Sequence, residues 1–297
     1  MKVLFCTDGS DISLYAIEKA LKLIKKDFVI DIATVIETGF LTTFVTFPYQ
    51  SETGFPEYRN KSEEALDNSE SLIKMRKFRV DEKYLIEGHP ADELLNLINK
   101  GNYAAVILGS HGKKGFKKWL GSVSSKIAQK STTPVLIVKP IETTESMDAQ
   151  NEFLMALDGS KNSYTAVEKA LSILDFENSS IELLSVKSAP EEFPVEIRDD
   201  REWLESCIKK QDEIMEEILE GSSKLLQEHN LKEDKRTLLE GDPAEQILNH
   251  IEKHRKDLII MGSHGRQGLS SLILGSVSKV VLEHSNSPVM IIYNKHV

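Results

Sequence analysis

Gly262-Ser263-His264-Gly265, nine intervening residues, and then Gly275-Ser276-Val277-Ser278 restate a passage written earlier in the chain. The earlier version runs Gly109-Ser110-His111-Gly112, eight residues, and Gly121-Ser122-Val123-Ser124. Working outward, Pro134-Val135 answers to Pro288-Val289, and Glu87-Gly88-His89-Pro90-Ala91 to Glu240-Gly241-Asp242-Pro243-Ala244. Asp8-Gly9-Ser10, continued by Ala16, Glu18, Lys19, Ala20 and Leu21, matches Asp158-Gly159-Ser160 continued by Ala166, Glu168, Lys169, Ala170 and Leu171. The order never changes, and the offset drifts only from 150 to 154 residues. Self-similarity of this kind is the signature of a duplicated unit.

A chain of 297 residues fits two domains at roughly 100–200 residues each. The boundaries expected from the repeat are 1–140 and 151–297, with the polar stretch 140–152, containing Thr143-Thr144-Glu145-Ser146, as the linker. A domain of about 150 residues buries close to 70% of its unfolded surface, enough for a core in each half. Short apolar runs at 2–6, 29–35, 80–86, 105–109 and 135–138 read as buried strands, with counterparts near 153–157, 180–186, 236–239, 257–261 and 289–292. Helical periodicity lies between them, as at 12–25, where Leu14, Ile17, Leu21 and Ile24 share a stripe. Over 199–229, Leu204, Ile208, Gln211, Met215, Ile218, Ser222 and Leu225 recur at three- and four-residue steps and read as a core-facing stripe. Strands alternating with helices predict an α/β fold, a parallel sheet covered on both faces.

A net charge of −10 argues against a general nucleic-acid role, which needs clustered Lys and Arg. No apolar run approaches the ~20 residues that span a bilayer, so membrane insertion is not expected. Met1-Lys2-Val3-Leu4-Phe5 leads directly into an acidic turn, without the apolar region and cleavage site of a secretory signal, and a cytoplasmic location is expected. Cys6 and Cys207 form neither a disulfide framework nor a metal-ligand spacing.

In an open parallel sheet, ligands bind beyond the carboxyl ends of the strands where the strand order reverses. Both glycine-bearing turns of each half fall at such ends. Glycine lets backbone approach a ligand closely or adopt positive φ. The helix beginning near Gly275-Ser276 offers unpaired N–H groups and dipole charge suited to a phosphate. Ser276 could cap that helix or donate to a phosphate oxygen, and Asp8 and Asp158 could cap the first helix of each half. His111 and His264 read as turn residues beside the phosphate loop, not as bases or metal ligands, since no carboxylate stands at ligand spacing.

Gly262-x-x-Gly265, nine residues and Gly275-Ser276, with the Asp-Gly-Ser turn before and Ser-x-x-Pro-Val after, resemble the ATP-binding signature of universal stress proteins. The resemblance covers both halves. It implies two doubly wound domains akin to adenine nucleotide alpha hydrolases, each with a five-stranded parallel sheet of order 3-2-1-4-5. It also implies ATP, with Mg²⁺, as the ligand. Carried onto this sequence, the binding set is Ala156, Asp158, Val186, Gly262, His264, Gly265, Gly275, Ser276 and Val277. Adenine is expected near Asp158 and Val186, ribose at Gly262, and phosphates at Gly265, Gly275, Ser276 and Val277. In the first half the same set is Asp8, Val35, Gly109, Gly112, Gly121 and Ser122, one residue short in the phosphate loop. That loop carries Lys113, Lys114, Lys117 and Lys118 around Phe116 and Trp119: a solvated face, or a surface for an anionic partner. The shortening makes the second half the expected main nucleotide site. Family members often pair their last strands across a two-fold axis, which a tandem chain could satisfy by joining 135–138 to 289–292 as a pseudo-dimer, with a further homodimer open.

The expected role is a nucleotide-responsive stress regulator, accompanied at most by slow hydrolysis. Against a dedicated enzyme, the first-strand turns read Thr7-Asp8-Gly9-Ser10 and Leu157-Asp158-Gly159-Ser160, not His-x-Gly-His or Ser-Gly-Gly-x-Asp-Ser, and no P-loop is present. A nucleotide-free interaction scaffold is the alternative. The stretch 37–56, with Phe40, Phe44, Phe47, Tyr49 and Phe55, reads as a lid, a partner surface or packing.

Overall fold

The structure, a computed structural model, describes residues 1–38, 51–111, 120–140, 150–265 and 274–294, with the side chains of 51–56 outside that description. It divides into two compact units, Met1–Glu142 and Thr143–Val297. The aromatics Phe40, Phe44, Phe47 and Tyr49, the Phe55 side chain, Gly112, the lysine loop with Phe116 and Trp119, and linker residues 141–149 lie outside the described residues.

The first unit runs β1 (Lys2–Cys6), α1 (Asp11–Leu23), β2 (Val29–Glu37), α2 (Ser51–Met75), β3 (Arg79–Gly88), α3 (Pro90–Lys100), β4 (Tyr103–Gly109), α4 (Ser122–Lys130) and β5 (Val135–Val138). Parallel pairing of β3 with β2, β2 with β1, β1 with β4 and β4 with β5 gives the order 3-2-1-4-5. α1 and α2 pack together on one face, α3 and α4 on the other. The sheet is therefore buried on both sides, which is why its strands read as nearly continuous apolar runs. Val3, Leu4, Phe5, Ile30 and Ile32 are fully buried. Each such side chain contributes about 1.5–3 kcal/mol relative to exposure.

The second unit repeats the plan with β6 (Asn151–Leu157), α5 (Lys161–Ile173), β7 (Ser179–Lys187), the short α6 (Val195–Arg198), α7 (Arg201–Glu228), β8 (Lys235–Glu240), α8 (Pro243–Lys253), β9 (Leu258–Gly262), α9 (Ser276–His284) and β10 (Val289–Ile292). Its parallel pairs β8–β7, β7–β6, β6–β9 and β9–β10 give the same order. The strand β6 takes in Asn151 and Glu152, which the sequence placed in the linker. Phe153 and Phe176 meet edge to face at 5.1 Å in its core.

Two local readings change. The first helices are capped by Ser10 and Ser160, whose side chains accept from the N–H of Ser13 and Ser163. Asp8 and Asp158 act one step earlier, as described below. In α7 the apolar stripe is core only over its C-terminal part, at Met215, Ile218 and Ser222, joined by Leu219 and Leu226. Toward the N-terminus Leu204, Ile208 and Gln211 are only half-buried.

Candidate functional site

In each unit β1 and β4, or β6 and β9, lie side by side, and the turns that follow their carboxyl ends frame the candidate cleft. The first wall is the turn after β1. Gly9 and Gly159 sit at φ 72° and 75°, a left-handed backbone that glycine adopts without strain. Asp8 Oδ1 accepts from the Ser10 N–H at 3.0 Å and from Ser10 Oγ at 2.6 Å, and Asp158 does the same with Ser160 at 3.0 and 2.7 Å. The aspartates thus lock the turn that presents the helix cap, an Asx turn rather than the cap itself.

The second wall is the turn after β4 or β9. Ser124 Oγ donates to the Gly109 carbonyl and Ser278 Oγ to the Gly262 carbonyl, both at 2.7 Å. Gly121 and Gly275 donate their N–H to Ser110 and Ser263 carbonyls, again at 2.7 Å. These paired bonds bring the start of α4 and α9 back over the strand ends. Gly121 and Gly275 are the N-caps of those helices, with no side-chain capping bond. Ser276, read as a possible cap, is the first helical residue, so its hydroxyl stands at the helix mouth with Val277 behind it. An uncapped N-terminus of this kind suits an anion.

A Cβ on Gly121 would stand 3.1 Å from His111 Cα, and one on Gly275 would stand 3.1 Å from the Ser263 carbonyl. On Gly265 it would meet Asp158 Oδ2 at 2.6 Å, so the two glycine turns touch across the second cleft. Gly109 and Gly262 have another reason to be glycine: their Cβ positions abut the first turns of α1 and α5, at Ile12 and Asn162. Helix packing alone accounts for them.

His111 and His264 are held through Nδ1, 3.0 Å from Ser110 Oγ and Ser263 Oγ. Burial keeps both imidazoles below their ordinary pKa, with Asp8 partly opposing this at His111. Their Nε2 atoms are buried and have no protein partner among the described residues. An orphaned buried ring nitrogen is costly unless something bonds it, and a ligand in the cleft could.

In the first unit these walls enclose a cavity of about 910 Å³. It brings together five expected residues, Asp8, Val35, Gly109, Gly121 and Ser122, with His111 beside them. Tyr58, Lys61 and Ser62 of α2 also line it, and sequence reasoning missed them. In the second unit Ala156 pairs with Leu184 and Met261 just below Asp158, and Val186 pairs with Leu239 at the end of β7. Gly262 ends β9, and the His264 carbonyl accepts from Asn162 Nδ2 at 3.2 Å. No helix of the described residues is long and apolar enough to cross a membrane, and none of their His, Cys, Asp or Glu groups is arranged to hold a metal ion.

Two glycine turns closing on one switch point, built twice, match the plan of a known family. A model described as the universal stress protein family matches residues 1–139 and 151–292. The chain belongs to the universal stress protein family. Universal stress protein YxiE of Bacillus subtilis is 30% identical over 156 residues, covering 48% of this chain and 98% of its own length. Universal stress protein Rv2005c of Mycobacterium tuberculosis is 26% identical over 210 residues, 70% of this chain and 67% of its own. In fold, the chain resembles a universal stress protein from Archaeoglobus fulgidus, with a TM-score of 0.66, 23% identity and 98% of both chains covered. The tandem arrangement of two universal stress protein domains is thus established.

Proposed function

We propose that this chain is an adenine-nucleotide-binding stress regulator, whose occupancy by ATP alters its stability and its choice of partner. The observation that carries this reading is the cavity of about 910 Å³ at the first switch point, of the size that takes a small ligand. The cleft has the parts a nucleotide requires. Glycine at 121 lets the start of α4 fold back against the His111 and Ser110 backbone, which brings an uncapped helix N-terminus suited to phosphate oxygens to the cleft, with Ser122 there as a hydroxyl donor. The buried Nε2 of His111 supplies a polar atom in need of a partner. Asp8, held by Ser10, and the end of β2 at Val35 flank the other end, where the base would lie. Mg²⁺ would enter with the phosphates, as it does where phosphate oxygens supply its ligands.

The uninterrupted Gly265–Gly275 spacing favours the second half by sequence, where Asp158, Gly262, His264, Gly265, Gly275, Ser276 and Val277 offer the corresponding set. The first-half cavity supports a nucleotide there too, despite its shorter loop. Regulation is the reading supported by the use of Asp8 Oδ1 and His111 Nδ1, which Ser10 and Ser110 hold in place as parts of the turn geometry.

Calorimetric titration of ATP with Mg²⁺ into the whole chain, freed of co-purified nucleotide, tests the reading. Binding in the micromolar range is expected, with a thermal shift equivalent to about 2.7 kcal/mol at a hundredfold excess over Kd. Absence of binding would end it in favour of the scaffold.

A further inference from the structure

The helices that cover the two clefts are counterparts, and their register can be fixed from the structure. α2 and α7 end before residues of positive φ, Lys77 at 64° and Asn230 at 58°, an offset of 153 residues. The same offset superposes the fully buried Ser69 on Ser222 and the buried pair Ala65 and Leu66 on Ile218 and Leu219. It also places Tyr58 on Gln211 and Ser62 on Met215. For the strands beneath, the β1–β2 and β6–β7 registers pair Cys6 with Ala33 and Ala156 with Leu184. Thr34, Ile36 and Glu37 therefore answer to Ser185, Lys187 and Ser188.

In the first unit, Thr34, Val35, Ile36 and Glu37 line the open cavity, with Tyr58 and Ser62 across it. Both covering helices reach the outer strand, α2 through Arg59 on Glu87 at 2.7 Å and Lys83 on Asp67 and Glu70, α7 through Glu220 on Arg236 at 3.0 Å. In the second unit, α7 is also fastened by side chains to the end of β7. Met215 Sδ lies 3.2 Å from Ser185 Oγ, and Asp212 pairs with Lys187 at 2.6 Å. With its amide oriented to satisfy both partners, Gln211 accepts from the Ser188 N–H at 2.7 Å and donates to the Ser188 carbonyl at 3.3 Å. That donor–acceptor pair on one residue is also what the edge of an adenine base presents.

We propose that Gln211 and Met215 close the base end of the second cleft, so that the first cleft, bounded by Tyr58 and Ser62, takes the adenine base. The inference rests on the nucleotide reading above and adds which half is open and which side chains decide it. Tyr58, about half exposed beside the cavity, offers a ring face to the base. Gln211 instead satisfies the strand end internally, and a base entering the second half must displace it. Two backbone hydrogen bonds and a buried thioether then tax affinity there by about tenfold to a hundredfold.

Photolabelling of the whole chain with 8-azido-ATP, followed by peptide mapping, reads the base end of each half separately. The wild type is expected to label first-half peptides, competed by ATP. The half-buried Gln211→Ala should fold normally and raise second-half labelling about tenfold or more. Gln211→Tyr with Met215→Ser, which transplants the first-half residues, should bring the halves level. Equal labelling of both halves in the wild type would overturn the proposal while leaving nucleotide binding intact, as would second-half labelling unmoved by either variant. Labelling gained only in the variants would keep the closure and remove the first-half site. Labelling of neither half in any protein would end both readings.

Discussion

The floors of the two halves differ as much as their clefts do. At matching positions, paired with Leu4 and Leu154, β2 and β7 each bury a carboxylate, Asp31 and Glu182. Asp31 accepts from the Tyr103 hydroxyl at 3.0 Å, from Lys2 at 3.1 Å and from the Glu82 N–H at 3.2 Å. Glu182 meets Lys256 at 2.9 Å, Lys235 and His250 at 3.1 Å, and the Thr237 hydroxyl. The offset of 153 residues places Lys256 on Tyr103 and His250 on Leu97. One half anchors its carboxylate mainly with neutral donors and a half-exposed lysine, while the other surrounds it with cations, one of them buried. The comparison teaches that duplication has kept the glycine turns, which backbone geometry demands, and released side chains that need only satisfy one another.

The largest test of that difference is removal of each carboxylate. Glu182→Ala leaves the buried Lys256 only the half-exposed Glu152 at 3.2 Å, strips His250 and Thr237 of their partner, and should cost the second half about 3–5 kcal/mol. Asp31→Ala should cost the first half less, about 1–3 kcal/mol, because Lys2 keeps Asp81 at 2.7 Å and solvent around it. Hydrogen exchange mapped by half reports both, and equal losses would erase the contrast. A smaller effect tests the clefts. Gly121→Val sets a side chain against His111 and Ser110 backbone and should weaken ATP at least about a hundredfold. Gly275→Val, with the same crowding against Ser263, should barely change the measured affinity if the second base end is closed. A large loss from Gly275→Val instead would return the nucleotide to the second half.

The smallest expected effect is a tilt with pH. Burial holds His250 below its ordinary value of 6.5, aided by Lys235 and His254 and opposed by Glu182. The unfolded chain therefore binds the extra proton first, and the stability His250 gives is present above about pH 6.5 and lost below it. Burial opposes the charge on Glu182, but Thr237, Lys256, His250 and Lys235 outweigh it and bring its pKa to about 2. Its contribution is present above its ordinary 4.5 and falls away as the pH drops toward 2. His111 and His264 are both lowered by burial, one in each half. Second-half exchange protection should thus decline more than first-half protection between about pH 7.5 and 5.5, and His250→Leu, the first-half residue, should level them.

The repeat made the fold legible because its glycine turns are short, local and fixed in spacing. Strand cores from Val3 to Phe5 and Val289 to Ile292 were equally plain as apolar runs. Of the cleft lining, Asp8, Gly121 and Ser122 were readable for the same reason, whereas Val35 came only from the family resemblance. The capping reading of the aspartates gave way because an Asx turn and an N-cap draw on the same residue types two positions apart. Tyr58 and Gln211 were hidden because the segments before α2 and α7 share no motif. Their correspondence emerges only from the helix ends at Lys77 and Asn230. Asp31 and Glu182 left a faint trace, single acids inside apolar strands at matching places.

A symmetric homodimer has one gene for both of its sites, so any substitution strikes them together. Position 58 could not become a glutamine without closing its twin. Joined in one chain and counted as 58 and 211, the same place is inherited twice, and each copy answers to selection alone. A single codon can then silence one site while sparing the other, a division of labour that identical subunits cannot reach by mutation.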